Sequence, residues 1–129
     1  WEGATRLITV RVEGALSLVE ARRAARTIVG SNLVKTAVYG QDPNWGRVAA
    51  ALGRSRVRLN PRKLDIYQDG LCLMKGGTPL PFDEAEARAL LGQKEVAFRV
   101  GLNLGQHSAT AWGCDLTPEY VTINSAYTT

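Results

Sequence analysis

The residues that could carry acid, base or nucleophilic chemistry are few. His107 is the only histidine, so the sequence offers neither a histidine pair nor a histidine-based metal cluster. Ser108 follows it directly, and consecutive side chains of a strand point to opposite faces, so these two residues cannot form a nucleophile–base pair. The carboxylate of Asp115 beside Cys114 disfavours a reactive thiolate. We therefore predict that this chain contains no catalytic residue and no metal site of its own.

Three residues near the two ends could still bind a polar substrate. Glu2 carries a carboxylate that could hold an ammonium group, and Asn124 carries an amide that could hold a carboxylate or another amide. Thr129 offers a hydroxyl together with a terminal carboxylate. Taken singly, each of these residues is more often structural than functional. We treat all three as candidate binding residues.

The composition predicts one globular domain over residues 1–129. Hydrophobic residues make up 45% of the chain and charged residues 22%, which are ordinary globular values. No apolar run is long enough to cross a bilayer, and the start of the chain does not resemble a signal peptide. Cys72 and Cys114 predict two reduced, half-buried thiols. We expect a cytoplasmic protein with no membrane partner, and a processing or cleavage boundary before Trp1.

The formal net charge of +4 raises the question of a nucleic-acid partner. The densest basic run lies between Arg54 and Lys63, and no aromatic side chain is interleaved with it to stack a base. We interpret this run as a solvated loop and strand edge, and predict no nucleic-acid partner.

Local patterns predict the elements that hold these residues. Alternating apolar residues over 5–12 indicate a half-buried strand. Ser17 and Glu20 form a capping box for the helix that follows. Gly30 suits the left-handed backbone conformation that often ends a helix. Residues 36–39 read as a short apolar strand. This first third of the chain therefore predicts strand, helix and strand.

A second helix and a hairpin follow. Asp42 is suited to be the N-cap of this helix, with Pro43 at its first position, and the helix is expected to end at Gly53. Asp69 and Gly70 form a two-residue turn signal between the strands 65–68 and 71–74. These patterns predict a helix followed by an antiparallel hairpin.

The rest of the chain predicts a short helix, two strands and a docked tail. The helix is expected to start at Asp83 and to end at Gly92. Residues 96–104 and 108–114 are predicted strands that form a second hairpin through Gly105. Thr117 is a candidate N-cap for a last short helix. Together these elements predict an α+β domain in which helices pack on a mixed sheet.

Six strings are distributed from the first residues to the last: Glu2-Gly-Ala-Thr5, Leu33-Val-Lys-Thr-Ala37, Asp42-Pro-Asn-Trp-Gly-Arg47, Pro81-Phe-Asp-Glu84, Ser108-Ala-Thr-Ala-Trp-Gly-Cys-Asp115 and the tail from Tyr120 to Thr129. The third and the fifth are long and specific. Together, and in this order, the six strings resemble the ornithine acetyltransferase (glutamate N-acetyltransferase) family of arginine biosynthesis.

The resemblance implies a fold and a reaction. The fold would be part of a four-layer, N-terminal-nucleophile-like arrangement of helices around sheets, assembled from two chains. The polypeptide of this family cuts itself before a threonine. The hydroxyl of that threonine then takes the acetyl group of N-acetylornithine and passes it to glutamate, with the terminal amine as local base and without a cofactor. Oxyanion donors would come from the first chain, the alpha chain.

The resemblance also assigns roles by position. Glu2 would bind the positive end of the substrate, and Asn124 and Thr129 would hold its polar groups. The nucleophilic threonine lies upstream of Glu2 in the family, and Trp1 has no hydroxyl or thiol that could replace it. This chain would then be the C-terminal part of the beta chain, and its partners would be the alpha chain and the nucleophile-bearing part of the beta chain in a heterotetramer. The resemblance leaves open whether acetyl-CoA is a further donor.

Two other functions compete with this one. An N-terminal-nucleophile aminopeptidase shares the broader fold, but the string over residues 42–47 favours the transferase. A non-catalytic binding or scaffold domain would keep the fold without the catalytic segment. A threonine-containing string upstream in the gene would favour the processed enzyme.

Overall fold

The computed structural model describes residues 6–115, and in this range it confirms the predicted α+β class. Six strands form one mixed sheet, four α-helices pack against it, and a single turn of 3-10 helix covers Pro61–Lys63. The elements are β1 (Leu7–Ala15), α1 (Leu18–Gly30), α2 (Asn32–Tyr39), α3 (Trp45–Arg54), β2 (Asp65–Gln68), β3 (Leu71–Lys75), β4 (Thr78–Pro79), α4 (Glu84–Leu91), β5 (Glu95–Gly101) and β6 (His107–Cys114).

The strand order in the sheet is β4-β3-β2-β5-β1-β6. β1 is parallel to β5, with Ile8 opposite Val96, and every other neighbouring pair is antiparallel. The predicted strand at residues 5–12 is confirmed as β1, whose alternate residues Ile8, Val10 and Val12 are fully buried. β1 therefore lies inside the sheet and is bonded on both sides.

One face of the sheet forms the core with the helices. Ile8, Val10 and Val100 pack in a single cluster with Ala24 and Ile28 of α1. Burying apolar side chains in this way stabilises the fold by roughly 25 cal/mol per Å² of apolar surface. The opposite face of the sheet carries the remaining, mostly polar residues of the same strands, and no described element covers it.

The predicted turn and the predicted N-caps of α1 and α4 are confirmed. Asp69 and Gly70 have φ values of 48° and 85°, which is the backbone that a tight hairpin turn between β2 and β3 requires. The amide of Glu20 donates to Ser17 Oγ at 3.1 Å at the start of α1. Asp83 caps α4 in the same manner. These features depend on neighbours in sequence, which explains why local patterns predicted them.

The predicted strand at residues 36–39 is wrong, since this segment is the second half of helix α2. Ser31 caps the helix by accepting a hydrogen bond from the amide of Val34 at 3.3 Å. Val34 and Val38 are four residues apart on the buried face of the helix. Packing of this face overrides the β-preference of a short valine-containing segment.

The predicted boundaries of two other helices also differ. α3 begins at Trp45 with Asn44 as its N-cap, rather than at Asp42 and Pro43, and it ends one residue after Gly53. Gly30 is the last residue of α1, but its φ is not positive. The backbone N–H of Ser31 donates to the carbonyl of Ile28 and ends α1, and the side chain of Ser31 caps α2. The end of α1 therefore needs no glycine with a positive φ.

The predicted hairpin between the strands 96–104 and 108–114 is wrong. Both strands exist, as β5 and β6, but β1 lies between them. The connecting loop crosses the end of β1, where the amides of Leu104 and Gly105 both donate to the carbonyl of Gly14. Gly14 has a φ of 73°, so a glycine suits this crossing. A sequence pattern indicates strands but does not say which strands are neighbours.

The basic run between Arg54 and Lys63 does not form a strand edge as predicted. It covers the end of α3, a loop and the 3-10 helix, and the next strand starts at Asp65. Arg58 Nη2 lies 2.6 Å from Glu20 Oε2, and Arg54 Nη2 donates to Ser31 Oγ at 3.2 Å. Arg58 therefore ties the loop to α1, and Arg54 ties the end of α3 to the junction between α1 and α2.

No helix among residues 6–115 has the length and apolar character needed to cross a membrane.

Glu20 predicts an acid-sensitive contribution to stability. Hydrogen bonds from the side chain and the backbone amide of Arg58 lower the pKa of Glu20 from 4.5 to about 2. A lowered pKa in the folded state stabilises the protein above pH 4.5, and this stabilisation disappears as the pH falls towards 2. We expect the difference in unfolding free energy between the unmodified chain and Glu20→Gln to shrink over this range. Urea denaturation at several pH values measures it.

Glu84→Gln is the matched control, because Glu84 is exposed and no ion pair among the described residues involves it. The difference for this control should change less with pH than the difference for Glu20→Gln. A Glu20→Gln difference that stays constant from pH 6 to pH 2 would contradict the assignment.

Candidate functional site

Arg6 and Asp115 form a clamp at one end of the sheet. The amide of Arg6 donates to Asp115 Oδ1 at 2.7 Å, and Arg6 Nη1 lies 3.1 Å from Asp115 Oδ2. The amide of Asp115 donates back to the carbonyl of Arg6 at 3.1 Å. The Asp115 side chain is completely buried, whereas that of Arg6 keeps 14% of its surface exposed. We call this pair the strand-end clamp.

The antiparallel pairing of β1 and β6 determines the position of the strand-end clamp. β6 runs antiparallel to β1, with Leu7 opposite Cys114, so the residue before β1 and the residue after β6 face each other. The two segments outside the described range, residues 1–5 and 116–129, therefore join the described fold at a single point.

The three predicted binding residues, Glu2, Asn124 and Thr129, lie outside the described residues, and so does the helix predicted to start at Thr117. Their roles stay predictions. What the described residues contribute is the common origin of the segments that carry them. The strand-end clamp is the feature that the sequence did not predict, because nothing local to Asp115 indicates its partner 109 positions away.

The open face of the sheet carries an ordered polar network. Glu13 accepts from Arg11 Nε at 3.0 Å and from Arg99 Nη1 at 3.1 Å, and the hydrogen bond from Arg11 is the main cause that lowers the pKa of Glu13. Arg11 also donates to Ser108 Oγ and to Thr110 Oγ1 on β6. The network therefore links β1, β5 and β6 across the face that the described helices leave open.

A shallow cleft of about 330 Å³ lies on this face. Arg99 stacks on the ring of Tyr67, with 3.9 Å between the guanidinium carbon and the ring centroid. At the other side of the cleft, Asp69 Oδ1 accepts from the amide of Ala97 at 2.9 Å, and burial raises the pKa of this carboxyl. Such groups can bind or orient a polar partner, but they do not form a nucleophile–base pair.

The single histidine and the two cysteines all lie within the described residues. His107 is exposed at the start of β6. Cys72 and Cys114 are unpaired, half-buried thiols, as predicted. Between Arg6 and Asp115, no group of three or more metal-ligating side chains is present.

The two most specific strings have structural roles. In the string over residues 42–47, Asn44 caps α3, and Arg47 Nη1 donates to the carbonyl of Leu33 at 3.0 Å, which joins α3 to α2. The string over residues 108–115 forms β6 and ends in the clamp. A Cβ atom added to Gly113 would lie 3.1 Å from Val29 Cγ2, so glycine allows α1 to pack closely on β6.

Comparison with known proteins gives one consistent result. The profile of the ArgJ family matches residues 1–129. The chain is 55% identical to the arginine biosynthesis bifunctional protein ArgJ of Symbiobacterium thermophilum, over 99% of this chain and 32% of that protein. The corresponding protein of Geobacillus kaustophilus is 52% identical over 99% of this chain and 31% of its own length. The chain thus spans about a third of the length of these curated relatives.

The crystal structure of arginine biosynthesis bifunctional protein argJ from Bacillus halodurans has the same fold. It superposes with a TM-score of 0.91 at 46% sequence identity, over 98% of this chain and 60% of that chain. This match agrees with the N-terminal-nucleophile-like fold that the resemblance implied.

The strand-end clamp predicts a large loss of stability for Asp115→Ala. Removing one partner of a buried ion pair leaves the other partner's hydrogen bonds unmade, and we expect a loss of about 3 kcal/mol. Glu13→Ala is the matched control, because it removes a carboxylate bonded to two arginines on the open face; there the loss should be below about 1 kcal/mol. Urea denaturation at pH 7 measures both. Equal losses for the two variants would contradict the importance of the clamp.

Proposed function

This chain belongs to the ArgJ family, and we propose that it is the C-terminal part of the beta chain of an ornithine acetyltransferase (glutamate N-acetyltransferase). In this role it contributes half of a substrate pocket. Glu2 binds the positive end of the substrate, and Asn124 and Thr129 bind its polar groups. The names of the relatives, which place them in arginine biosynthesis, support this proposal.

The strand-end clamp is the observation that carries the proposal. A pocket built from both ends of a chain requires that the two ends start close together. The bonds between Arg6 and Asp115 meet this requirement, because they hold the start of β1 against the end of β6. The Asp115 side chain is fully buried at this junction, so the segments before Arg6 and after Asp115 start from neighbouring positions.

The reaction that we propose for the complete protein is a two-step acetyl transfer. A threonine hydroxyl, on polypeptide outside this chain, attacks the acetyl carbonyl of N-acetylornithine; the ornithine amine leaves with a proton, and an acetyl-threonine ester remains. The amine of glutamate then attacks the ester, which forms N-acetylglutamate and restores the hydroxyl. In both steps Glu2, Asn124 and Thr129 bind the amino acid and do not react with it.

The partners in this proposal are the alpha chain and the nucleophile-bearing part of the beta chain, in a cytoplasmic hetero-oligomer. The open face of the sheet supports the proposal that other polypeptide packs on this chain. Trp112 is 64% exposed there, opposite Thr9 on β1, and Leu7 is also exposed. Large apolar side chains exposed beside a polar network are typical of a surface that another polypeptide covers. Membership of the ArgJ family favours this enzyme over the aminopeptidase alternative.

Substitution of the binding residues tests the proposal in the full-length protein that contains this chain. Loss of a charge-assisted hydrogen bond to substrate costs about 1.5–3 kcal/mol. We therefore expect Glu2→Gln, Asn124→Ala and Thr129→Ala each to lower kcat/KM for N-acetylornithine by about 10- to 100-fold. Glu84→Gln on α4 is the control and should leave kcat/KM unchanged. Unchanged kinetics in all three binding-site variants would overturn the proposal.

The isolated 129-residue chain provides a second test. Because the nucleophile is proposed to lie outside it, the purified chain should not transfer an acetyl group from N-acetylornithine to glutamate. Detection of N-acetylglutamate by mass spectrometry measures this directly. Turnover by the isolated chain would show that the nucleophile belongs to these 129 residues.

A further inference from the structure

The two edges of the sheet are protected very differently. β4 forms one edge and is only two residues long, and one of these is Pro79, which has no amide to offer. β6 forms the other edge and has eight residues, without a proline and without a Lys, Arg, Asp or Glu. Soluble proteins usually block an edge by shortening it or by placing charges or proline on it. β6 has none of these devices.

The hydrogen-bond pattern shows which groups of β6 face outwards. On β1, the amide of Leu7 donates to β5, through the carbonyl of Lys94, whereas Arg6 exchanges bonds with Asp115. Bonding residues alternate along an antiparallel pair. The odd-numbered residues of β6 therefore bond to β1, while the backbone groups of residues such as Thr110 and Trp112 point to the free edge.

A row of side chains on α1 runs beside this edge. Leu18, Arg22 and Arg26 line a groove of about 280 Å³ together with residues 108–111 of β6. Farther along, Val29 of α1 contacts Gly113, so the helix follows the strand in the same direction. Arg22 and Arg26 are exposed, and no ion pair found between positions 6 and 115 involves either one.

The spacing of this row matches the spacing of a strand. Residues four apart on a helix are separated by about 6 Å along the axis, and alternate residues of a strand by about 6.7 Å. An added strand beside β6 would thus place successive same-face side chains next to Leu18, Arg22 and Arg26. The side chains of β6 on this face, Ala109 and Ala111, are small and leave room for them.

We propose that the β6 edge accepts one more strand, supplied by polypeptide of the same protein outside this chain, with acidic side chains at alternate positions facing Arg22 and Arg26. The source of the strand rests on the proposed function. About two thirds of each curated relative lies beyond the span of this chain, and under the proposed function the corresponding polypeptide supplies the strand. Main-chain bonds to β6 would provide affinity, and the two arginines would select the partner.

Two other strands could occupy the β6 edge, β6 of a second copy and the tail of this chain, and both fit less well. Antiparallel pairing of β6 with β6 of a second copy would place the two arginine rows side by side, and like charges repel. The tail of this chain, residues 116–129, has one acidic side chain, that of Glu119, and the proposed function assigns Thr129 to the substrate. It therefore cannot place acidic side chains at alternate positions opposite both arginines.

Binding of a model strand tests the proposal with the full 129-residue chain. The probe is a fluorescent eight-residue peptide that alternates threonine and glutamate, and its counterpart alternates threonine and lysine. We expect the glutamate peptide to bind at least about 10-fold more tightly at low salt. The double variant Arg22→Glu, Arg26→Glu should reverse this preference. The control variant Arg62→Glu, Lys63→Glu makes the same change in net charge on the 3-10 helix and should still prefer the glutamate peptide.

Amide hydrogen exchange shows whether the peptide binds as a strand. In the free chain, the amides of Thr110 and Trp112 should exchange much faster than those of Ala109 and Ala111. The glutamate peptide should slow the exchange of Thr110 and Trp112 selectively. Thr110→Pro should abolish peptide binding while Thr110→Ala retains it, because only proline removes the outward amide.

Three results would overturn the proposal: equal affinity for the two peptides, protection of Thr110 and Trp112 in the free chain, or binding without selective protection. If Thr110→Pro does not fold, the exchange experiment on the unmodified chain still decides. Neither measurement involves acetyl transfer, so a failure here is distinct from a failure of the proposed function, which the kinetics of the full-length protein test.

Discussion

The position of β1 inside the sheet is the constraint on which the rest of the structure depends. This strand bonds to β5 on one side and to β6 on the other, and its buried side chains hold α1 against the sheet. Because β1 and β6 are antiparallel neighbours, the start of one and the end of the other coincide. The buried bonds between Arg6 and Asp115 close this junction, so the two chain segments that lead to the proposed binding residues have a common origin.

Charge is distributed in two ways around this framework. On the open face, Glu13 balances Arg11 and Arg99, and at the start of α1, Glu20 balances Arg58. These arginines serve the fold. Arg22 and Arg26 lie instead beside an unprotected strand edge, in a groove that the described residues leave open. The contrast distinguishes charges that stabilise the chain from charges that are placed for a partner.

Features that depend on near neighbours were predicted well. Ser17 and Asp83 cap helices, and Asp69 with Gly70 turns a hairpin, because each needs only groups two or three residues away. The resemblance identified the family from long strings. The two largest errors share one cause, which is contact between segments distant in sequence. Residues 36–39 are helical because they pack against the core. β5 and β6 do not form the expected hairpin because β1 lies between them and pairs with both.

The sequence by itself determined the α+β class and most local elements, since these follow from residue types and short spacings. Only the tertiary structure decided which strands are neighbours, because pairing energy between distant segments leaves no trace in local periodicity. The strand-end clamp and the free edge of β6 are consequences of that pairing. The clamp joins residues that are distant in sequence, and the edge exposes backbone groups of β6. Neither can be recognised before the strand order is known.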